Sequence, residues 1–446
     1  MEFFVAGGLC IALLLLLMAI GLQIGLAFLL SGFISSVLLL GFDSSITLVG
    51  QAAYFSIASP TWTAIPLFIL LGSFASNGEL ARRAYLGMHS ATRRLPGSLL
   101  IATSFSCGLF GAVSGSSIAT TAIFGRMALP EMIQIGYNKA LSVGVIASAG
   151  TFASMIPPSM MMIIYALFTQ QSIGALFAAG ILPGLLTVLV YSALIIWMVR
   201  RNPSLAPELK SYHEEDEATQ KTDDDREYSL ISVWPIVLIA SVVLGGLYGG
   251  FLTPTEAAAA GALSALIIGA GLGPLRDKKL LALSLHDAAK VTSMLFLINI
   301  GALFYSRILA VTGLPTQLTS ALIELNLPPL AFLIGVMVII FLLGMIMVPI
   351  GIYALTLPIV MPLLLKLGYD PIWFGVVALK LTEIGAITPP VGLNVFAIKG
   401  VIPKEHDIPI EKIYRGCMPF LLADIAVLVL IIAVPGIALW LPNLLS

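Results

Sequence analysis

The chain alternates long apolar stretches with short polar loops, and the lengths of the apolar stretches predict its architecture. Runs of about 20 apolar residues fit α-helices that cross a hydrocarbon core about 30 Å thick, whereas the alternation typical of barrel strands is absent. The first run lacks a basic start and a small-residue cleavage site, so we expect it to be retained as a span. Uninterrupted spans are predicted at residues 3–20, 24–41, 62–77, 173–200, 233–250, 256–272, 291–311 and 413–441.

Four further apolar stretches are interrupted by glycine, proline or small hydroxyl residues. Such interruptions are unsuited to a lipid-facing helix, because they leave backbone N–H and C=O groups without partners. In two of these stretches the interruption indicates two short helices that meet at a tip, which is a re-entrant hairpin. The predicted hairpins are residues 97–127 and 330–366, and the predicted broken transmembrane helices are residues 139–168 and 372–402.

The interruptions recur at matching positions in the two halves of the chain. Pro157-Pro158 in the first half corresponds to Pro389-Pro390 in the second, and a Gly-Tyr pair precedes each at the same distance. Paired interrupted segments of this kind point to the binding site of a transporter. We therefore predict an all-α polytopic membrane protein built from two repeats, residues 1–200 and residues 231–446.

A charged segment separates the two repeats. Residues 201–230 are rich in Asp and Glu and nearly free of apolar residues, which predicts a solvated linker; a docking tail is the more specific alternative. Amphipathic arms are predicted at 78–95, which carries four arginines, and at 313–328. Placing the first arm in the cytoplasm places nearly all of the 22 Lys and Arg residues, and the linker, there as well. The same threading admits the hairpins from opposite sides, so the repeats are predicted to be inverted.

Composition supports a membrane protein and excludes several function classes. The 446 residues are 59% hydrophobic and 10% charged, with a mean hydropathy of +1.04, which leaves too little polar surface for a soluble protein. The three cysteines lie in separate apolar segments, so neither a disulfide framework nor a metal motif is indicated. No nucleophile and base are grouped as in an enzyme. We expect contact with membrane lipid, no nucleic-acid partner and no catalytic activity.

The interrupted segments suggest the chemistry of a transport site. Unwound carbonyls and Ser or Thr hydroxyls form an oxygen cage that suits Na+ as the coupling ion, while the N-termini of half-helices attract a carboxylate. Close helix packing by small residues is the alternative, and the paired arrangement favours the site. The predicted cation ligands are Ser114, Gly115, Ser116, Thr151, Ser154, Pro157, Val348, Gly351, Thr382, Gly385, Thr388 and Pro389. The predicted solute-binding residues are Ser116, Ser117, Thr120, Glu383 and Asn394.

Other polar residues within apolar segments have structural or functional interpretations. Lys380 and Glu383 are three positions apart and are predicted to pair on one helical face, either as a structural ion pair or as a substrate and coupling element. Asp424, in the last span, is costly enough in lipid to indicate a buried role. Asn299 and Arg307 are candidate pocket groups that we expect to form interhelical hydrogen bonds.

Several of these motifs resemble one family of transporters. Residues 368–375 read Gly-Tyr-Asp-Pro-Ile-Trp-Phe-Gly, and residues 383–396 read Glu-Ile-Gly-Ala-Ile-Thr-Pro-Pro-Val-Gly-Leu-Asn-Val-Phe. With the Ser-Gly-Ser-Ser tip at 114–117, Pro157-Pro158 and Thr-Pro-Thr-Glu at 253–256, they resemble the large membrane subunit of tripartite ATP-independent periplasmic (TRAP) transporters, the DctM-like family. The resemblance covers essentially the whole chain.

The resemblance implies an elevator-type secondary transporter in the bacterial inner membrane. Such a protein couples Na+ entry to uptake of a solute, here expected to be a small organic anion such as a carboxylate. It works with a small four-helix membrane subunit and a periplasmic substrate-binding protein. One departure concerns the second hairpin, where similar members often have an acidic residue after Gly-Met-Phe-Met and this chain has Val348-Pro349. Backbone carbonyls are therefore expected to carry more of the ion binding there.

Two other functions remain open from the sequence. A stand-alone Na+ or H+ symporter of related fold would take up the solute without a binding protein. An ion channel would line a filter with the hairpins, but two unlike tips do not build a symmetric ring of carbonyls.

Overall fold

The computed structural model describes residues 3–58, 60–207, 229–314, 317 and 328–445, and within these ranges every regular element is a helix. The predicted all-α architecture is thereby confirmed. The first half contains α1 (Phe3–Ala19), α2 (Ile24–Leu40), α3 (Phe42–Ala58), α4 (Ala64–Asn77), α5 (Leu80–Thr92), α6 (Ser98–Ser114), α7 (Ser117–Gln134), α8 (Lys139–Phe152), α9 (Met160–Thr169) and α10 (Ile173–Arg201). The second half contains α11 (Trp234–Tyr248), α12 (Pro254–Leu272), α13 (Lys278–Val311), α14 (Pro329–Gly344), α15 (Pro349–Lys366), α16 (Pro371–Gly385), α17 (Leu393–Lys399), α18 (Ile410–Ala433) and α19 (Gly436–Leu445).

Most predicted spans coincide with helices of the structure. Six of the described helices are long and apolar enough to cross a membrane, and the bent pair formed by α4 and α5 makes a seventh candidate. The bend between them is 63°, and α5 lies within the predicted arm at 78–95. Most of the predicted linker, residues 208–228, and most of the second arm, residues 318–327, lie outside the described residues.

Three helices differ from the predicted spans. α3 lies where no span is predicted, because Asp43, Gln51 and several serines interrupt its apolar positions. α13 is 34 residues long and begins well before the predicted span at 291–311, because its first turns are polar and exposed. The predicted span at 413–441 is divided into α18 and α19, which Val434 and Pro435 separate. The residue before a proline avoids helical backbone, which explains this division.

The two helices that precede the interruptions lie at the centre of the molecule. Every residue from Leu141 to Phe152 of α8 is buried, and so is every residue from Trp373 to Gly385 of α16. A helix that is apolar and covered on all sides belongs to an interior. Neither helix presents a lipid-facing surface along that length.

A second, smaller hydrophobic cluster joins α1, α2, α3 and α13. Helices α2 and α13 approach closely because two glycines meet there: a Cβ atom on Gly301 would lie 2.5 Å from the carbonyl oxygen of Gly25. Small residues at an interface allow membrane helices such close contact. This cluster is distinct from the larger core that contains α8 and α16.

The two halves exchange helices around the central pair. Helix α9, which follows the first interruption, packs against α15 of the second half, and α17, which follows the second interruption, packs against α7 of the first half. The Tyr165 hydroxyl on α9 also donates a hydrogen bond to the Pro371 carbonyl at the start of α16, at 2.7 Å. The corresponding helices therefore make corresponding contacts in the two halves.

Candidate functional site

The first tip is a two-residue break between α6 and α7. Gly115 follows α6 with a φ of +61°, and Ser116 caps α7 by accepting a hydrogen bond from the Ala119 N–H at 3.4 Å. Glycine suits this position because a side chain strains a left-handed backbone. Next to the tip, the Ser114 and Thr120 hydroxyls are hydrogen-bonded at 3.1 Å. Four of the predicted site residues therefore form one compact group of hydroxyl and backbone groups.

The first tip packs directly on the first interruption. A Cβ atom on Gly115 would lie 2.9 Å from the Met160 backbone nitrogen and 3.4 Å from the Pro158 carbonyl oxygen. Gly150 of α8 packs against Thr121 of α7 without room for a side chain. The structure thus brings together two groups of predicted ligands, the one in residues 114–117 and the one in residues 151–158. Their role as ligands stays a prediction.

The second tip packs on the second interruption through another pair of glycines. A Cβ atom on Gly385 would lie 2.7 Å from the Cα atom of Gly344. The Gly392 N–H then donates to the Met345 carbonyl at 3.1 Å, which ties the interruption to the end of α14. Both Pro-Pro bonds, in the first interruption and in the second, are cis.

Two of the predicted ligands at the second tip offer backbone only. Val348 caps α15 without a side-chain hydrogen bond, and its carbonyl accepts from the Gly351 N–H at 3.0 Å. Gly351 also faces Ile24 of α2, where a Cβ atom would lie 3.2 Å from the isoleucine Cδ1. This tip therefore presents carbonyl oxygens rather than a side-chain carboxylate.

Three threonine hydroxyls at the interruptions donate their protons to backbone carbonyls. Thr151, Thr382 and Thr388 bond to carbonyls three or four residues earlier, at 2.7, 2.8 and 2.7 Å. Because a hydroxyl has one proton and two lone pairs, each oxygen can only accept a further interaction. Within the described ranges no three His, Cys, Asp or Glu side chains are grouped. Hydroxyl and carbonyl oxygens are the ligand atoms at these positions, and such hard oxygen ligands suit a hard cation rather than a metal that prefers sulfur or nitrogen.

Several buried polar atoms near the interruptions lack a hydrogen-bond partner among the described residues. They include the hydroxyls of Ser154, Thr121 and Tyr353 and both carboxylate oxygens of Glu383. Glu383 is only 2% exposed, and the side chains of Ser154 and Ser117 approach its carboxylate. Buried polar groups in proteins are almost always satisfied by protein, water or an ion. The arrangement therefore has the capacity to bind a polar guest.

Asn394 connects the second interruption to the first half. Its Nδ2 donates to the Ala147 carbonyl of α8 at 3.1 Å, and its Oδ1 is buried without a partner in the described part of the chain. Helix α8 leads into the first interruption, and Asn394 lies just after the second. This hydrogen bond therefore holds the two interruptions beside each other.

The predicted pairing of Lys380 with Glu383 is wrong. Lys380 Nζ lies 2.6 Å from Asp424 Oδ1 on α18 and donates to the Thr187 hydroxyl of α10 at 3.2 Å. The other carboxylate oxygen of Asp424 accepts from the Tyr191 hydroxyl at 2.7 Å. A bond across helices replaces the local pair because α18 brings an acid, and α10 a hydroxyl, to the face of α16 that carries the lysine. Glu383 is left without a basic partner among the described residues.

The structure also differs from the interhelical hydrogen bond expected of Asn299. Both polar atoms of its buried side chain lack a partner within the described residues. Arg307 is exposed near the end of the same helix, α13.

Sequence reasoning missed Thr121 and Tyr353 as polar residues of this region. Thr121 lies four positions after Ser117, so the helical period was an available signal for it. Tyr353 lies beside Thr382, a contact that depends on how α15 folds onto α16 and has no signature in the sequence.

Known proteins are similar to this chain over almost its whole length. The family model described as "Tripartite ATP-independent periplasmic transporter, DctM component" matches residues 11–437. The C4-dicarboxylate TRAP transporter large permease protein DctM of Pseudomonas aeruginosa is 34% identical over 388 residues, which are 86% of this chain and 87% of that protein. The ectoine/5-hydroxyectoine TRAP transporter large permease protein UehC of Ruegeria pomeroyi is 30% identical over 97% of both chains.

A solved structure shares the fold. The YdaH transporter of Alcanivorax borkumensis superimposes with a TM-score of 0.63 over 90% of both chains, at 14% sequence identity. The TRAP large permeases are integral proteins of the inner membrane that work with a small membrane subunit and a periplasmic binding protein, and they are not enzymes. With the apolar helices and the interrupted segments described above, these similarities establish that the chain belongs to the DctM family of TRAP transporter large permeases.

Proposed function

We propose that this protein couples Na+ entry to the uptake of a small organic anion, a carboxylate, that a periplasmic binding protein delivers. The observation that carries the proposal is the group of buried polar atoms without partners where the two tips meet the two interruptions. Ser154 and Glu383 belong to that group, and Asn394 lies beside it. Unsatisfied groups at this depth are costly unless protein, water or a bound solute satisfies them, and a polar transport site supplies such a solute.

The oxygen donors near the tips support a cation as one guest. The threonines at 151, 382 and 388 present lone pairs only, and Val348 contributes backbone to the second tip. A cation near Glu383 would also neutralise this buried carboxylate, which forms no ion pair with the described residues. The departure from an acidic residue at the second tip is compatible with a site built mainly from neutral oxygens.

The helix termini support a carboxylate as the second guest. Helix α7 begins at Ser117 and α15 at Pro349, each directly after a tip, and a helix N-terminus attracts negative charge. An anion near Glu383 is repelled unless a cation binds first. This order would make solute affinity depend on Na+, which is the coupling that a symporter requires. Relatives are named for C4-dicarboxylates, for isethionate and for ectoine, so an acidic solute is compatible with the family, although the relatives do not share one solute.

The repeat architecture completes the proposal. Residues 97–127 and 330–366 would be re-entrant hairpins that enter from opposite sides, and the repeats 1–200 and 231–446 would be inverted. The hairpins and broken helices would move together as the elevator domain, with the smaller cluster around α2 and α13 in the scaffold. The exchanged contacts of α9 with α15 and of α17 with α7 support this division.

The test is transport by proteoliposomes that contain the large subunit, its small membrane subunit and the binding protein. The informative variant is Thr388→Ala, and Thr103→Ala on α6 is its matched control, because both threonines are buried and donate to the carbonyl four residues earlier at 2.7 Å. We expect Thr388→Ala to raise the Na+ concentration for half-maximal uptake, with the control unchanged. Wild-type Na+ dependence in both variants would contradict the ion site. Uptake without the binding protein would instead indicate the stand-alone symporter.

A further inference from the structure

An open groove lies between α10 and α18, away from the two interruptions. Its volume is about 590 Å³, which is within the usual range for a small-molecule site. On α10 it extends from Val190 to Met198, roughly 12 Å at about 1.5 Å per residue. Its wall is largely apolar and includes Leu194 and Trp197 on α10 and Arg415, Met418 and Leu422 on α18.

One end of the groove is basic. Arg415 is exposed in the lining and forms no ion pair or hydrogen bond with the described residues. The Arg201 guanidinium carbon lies 5.5 Å from the ring centre of Trp197, which lines the same end. Arg200 is exposed beside them, and Glu411, one turn from Arg415, offsets part of this positive charge. The other end, near Val190 and Ala423, is apolar.

This combination of charge and shape matches one class of ligand. A basic pocket between transmembrane helices recognises the head group of an anionic phospholipid. Arginine donates paired hydrogen bonds to phosphate oxygens, and tryptophan favours the level of the head groups. The apolar remainder of the groove fits an acyl chain. We propose that the α10–α18 groove binds an anionic phospholipid, with its phosphate on Arg415 and an acyl chain along Leu194 and Leu422.

The position of the groove gives the lipid a structural role. Val190 and Ala423 line its inner end, and their neighbours in sequence, Tyr191 and Asp424, form the buried hydrogen bond between the same two helices. A lipid in the groove would therefore cover the outer side of the contact that holds Lys380 of α16. Binding should stabilise the packing of α10 against α18.

The experiment measures lipid retention by native mass spectrometry and thermal stability on the purified full chain. The probes are phosphatidylglycerol, phosphatidylcholine and inorganic phosphate. Arg415→Gln removes the phosphate contact, and Arg126→Gln, an exposed arginine on α7, is its control. Met418→Trp fills the groove from its exposed side, and Leu189→Trp, on an exposed position of α10 outside the lining, is the control for added bulk.

We expect phosphatidylglycerol to be retained in preference to phosphatidylcholine and to raise the melting temperature. Arg415→Gln should weaken phosphatidylglycerol binding about fivefold, the effect of one basic residue near an anionic lipid. Met418→Trp should abolish it, while both controls keep wild-type retention. Equal retention of the two lipids, or unchanged binding in both test variants, would overturn the proposal. So would full competition by inorganic phosphate, or release of the lipid when the small membrane subunit binds and covers Met418.

Discussion

Replacement of Asp424 by asparagine tests the buried network of α10, α16 and α18. Asn keeps the size of the side chain and removes its charge. The Lys380 ammonium, now 2.6 Å from Asp424 Oδ1, would remain buried without an anion, and the Tyr191 hydroxyl would lose a charged acceptor at 2.7 Å. The side chains of Lys380 and Asp424 are 2% and 0% exposed, so water cannot replace the lost partner.

The expected cost follows from the geometry. At an effective dielectric constant of about 20, two unit charges 2.6 Å apart attract by about 6 kcal/mol. Desolvation offsets most of this attraction in the intact pair, but removing one partner costs about 3–5 kcal/mol because the other charge stays buried. For 446 residues with an unfolding entropy of about 2.1 cal/mol/K each, this loss lowers the melting temperature by about 3–5 °C.

The assay is thermal unfolding of the purified protein in detergent, followed by intrinsic fluorescence at a fixed scan rate. Asp424→Asn should give the full decrease in melting temperature. The double variant Lys380→Met with Asp424→Leu should recover most of it, because apolar residues that replace both charges leave none unpaired. Glu383→Gln is the control, since Glu383 has no basic partner among the described residues. A decrease for Glu383→Gln that equals the one for Asp424→Asn, with no recovery in the double variant, would refute this network.

Three further outcomes are expected. Gly385→Val should abolish transport, because the valine side chain would collide with the backbone of Gly344. Gly335→Val on α14 is the control and should be tolerated, since nothing lies within 4 Å of a Cβ atom there. Uptake assays with expression controls would show the contrast. Tyr191→Phe should lower the free energy of unfolding by about 1.5–3 kcal/mol, the contribution of a hydrogen bond to a charged group. Unfolding in the same detergent would measure this loss. Deletion of residues 208–228, which make up most of the predicted linker 201–230, should leave expression nearly unchanged, because few apolar residues there could pack in a core. Protease access to this segment from the periplasmic side of intact cells would contradict its predicted cytoplasmic placement.

The pattern of apolar and polar residues was sufficient to predict most of the fold. Span length and the absence of polar surface require a helical membrane protein, and the helices appear where the long apolar runs predict them. The tips and interruptions were also predictable, because glycine, proline and small hydroxyl residues disturb helical backbone wherever they cluster. Helix α3 was missed because its polar residues interrupt its apolar positions. Only the tertiary structure shows that α2 and α13 pack against α3, with Ser45 and Ala52 buried and large apolar residues such as Phe55 exposed.

The residues of the candidate site were also predictable from the sequence only in part. The sequence predicted residues 114–117 and 151–158 as one set and residues 347–351 and 382–390 as another, because their spacing repeats along the chain. Partners that are distant in sequence depended on tertiary structure. Local spacing suggested Lys380 with Glu383, and only the packing of α18 against α16 showed that Lys380 meets Asp424, 44 residues away. A charge buried on a helix pairs with whichever acid the fold brings to its face, and that choice is made by helix packing rather than by separation along the chain.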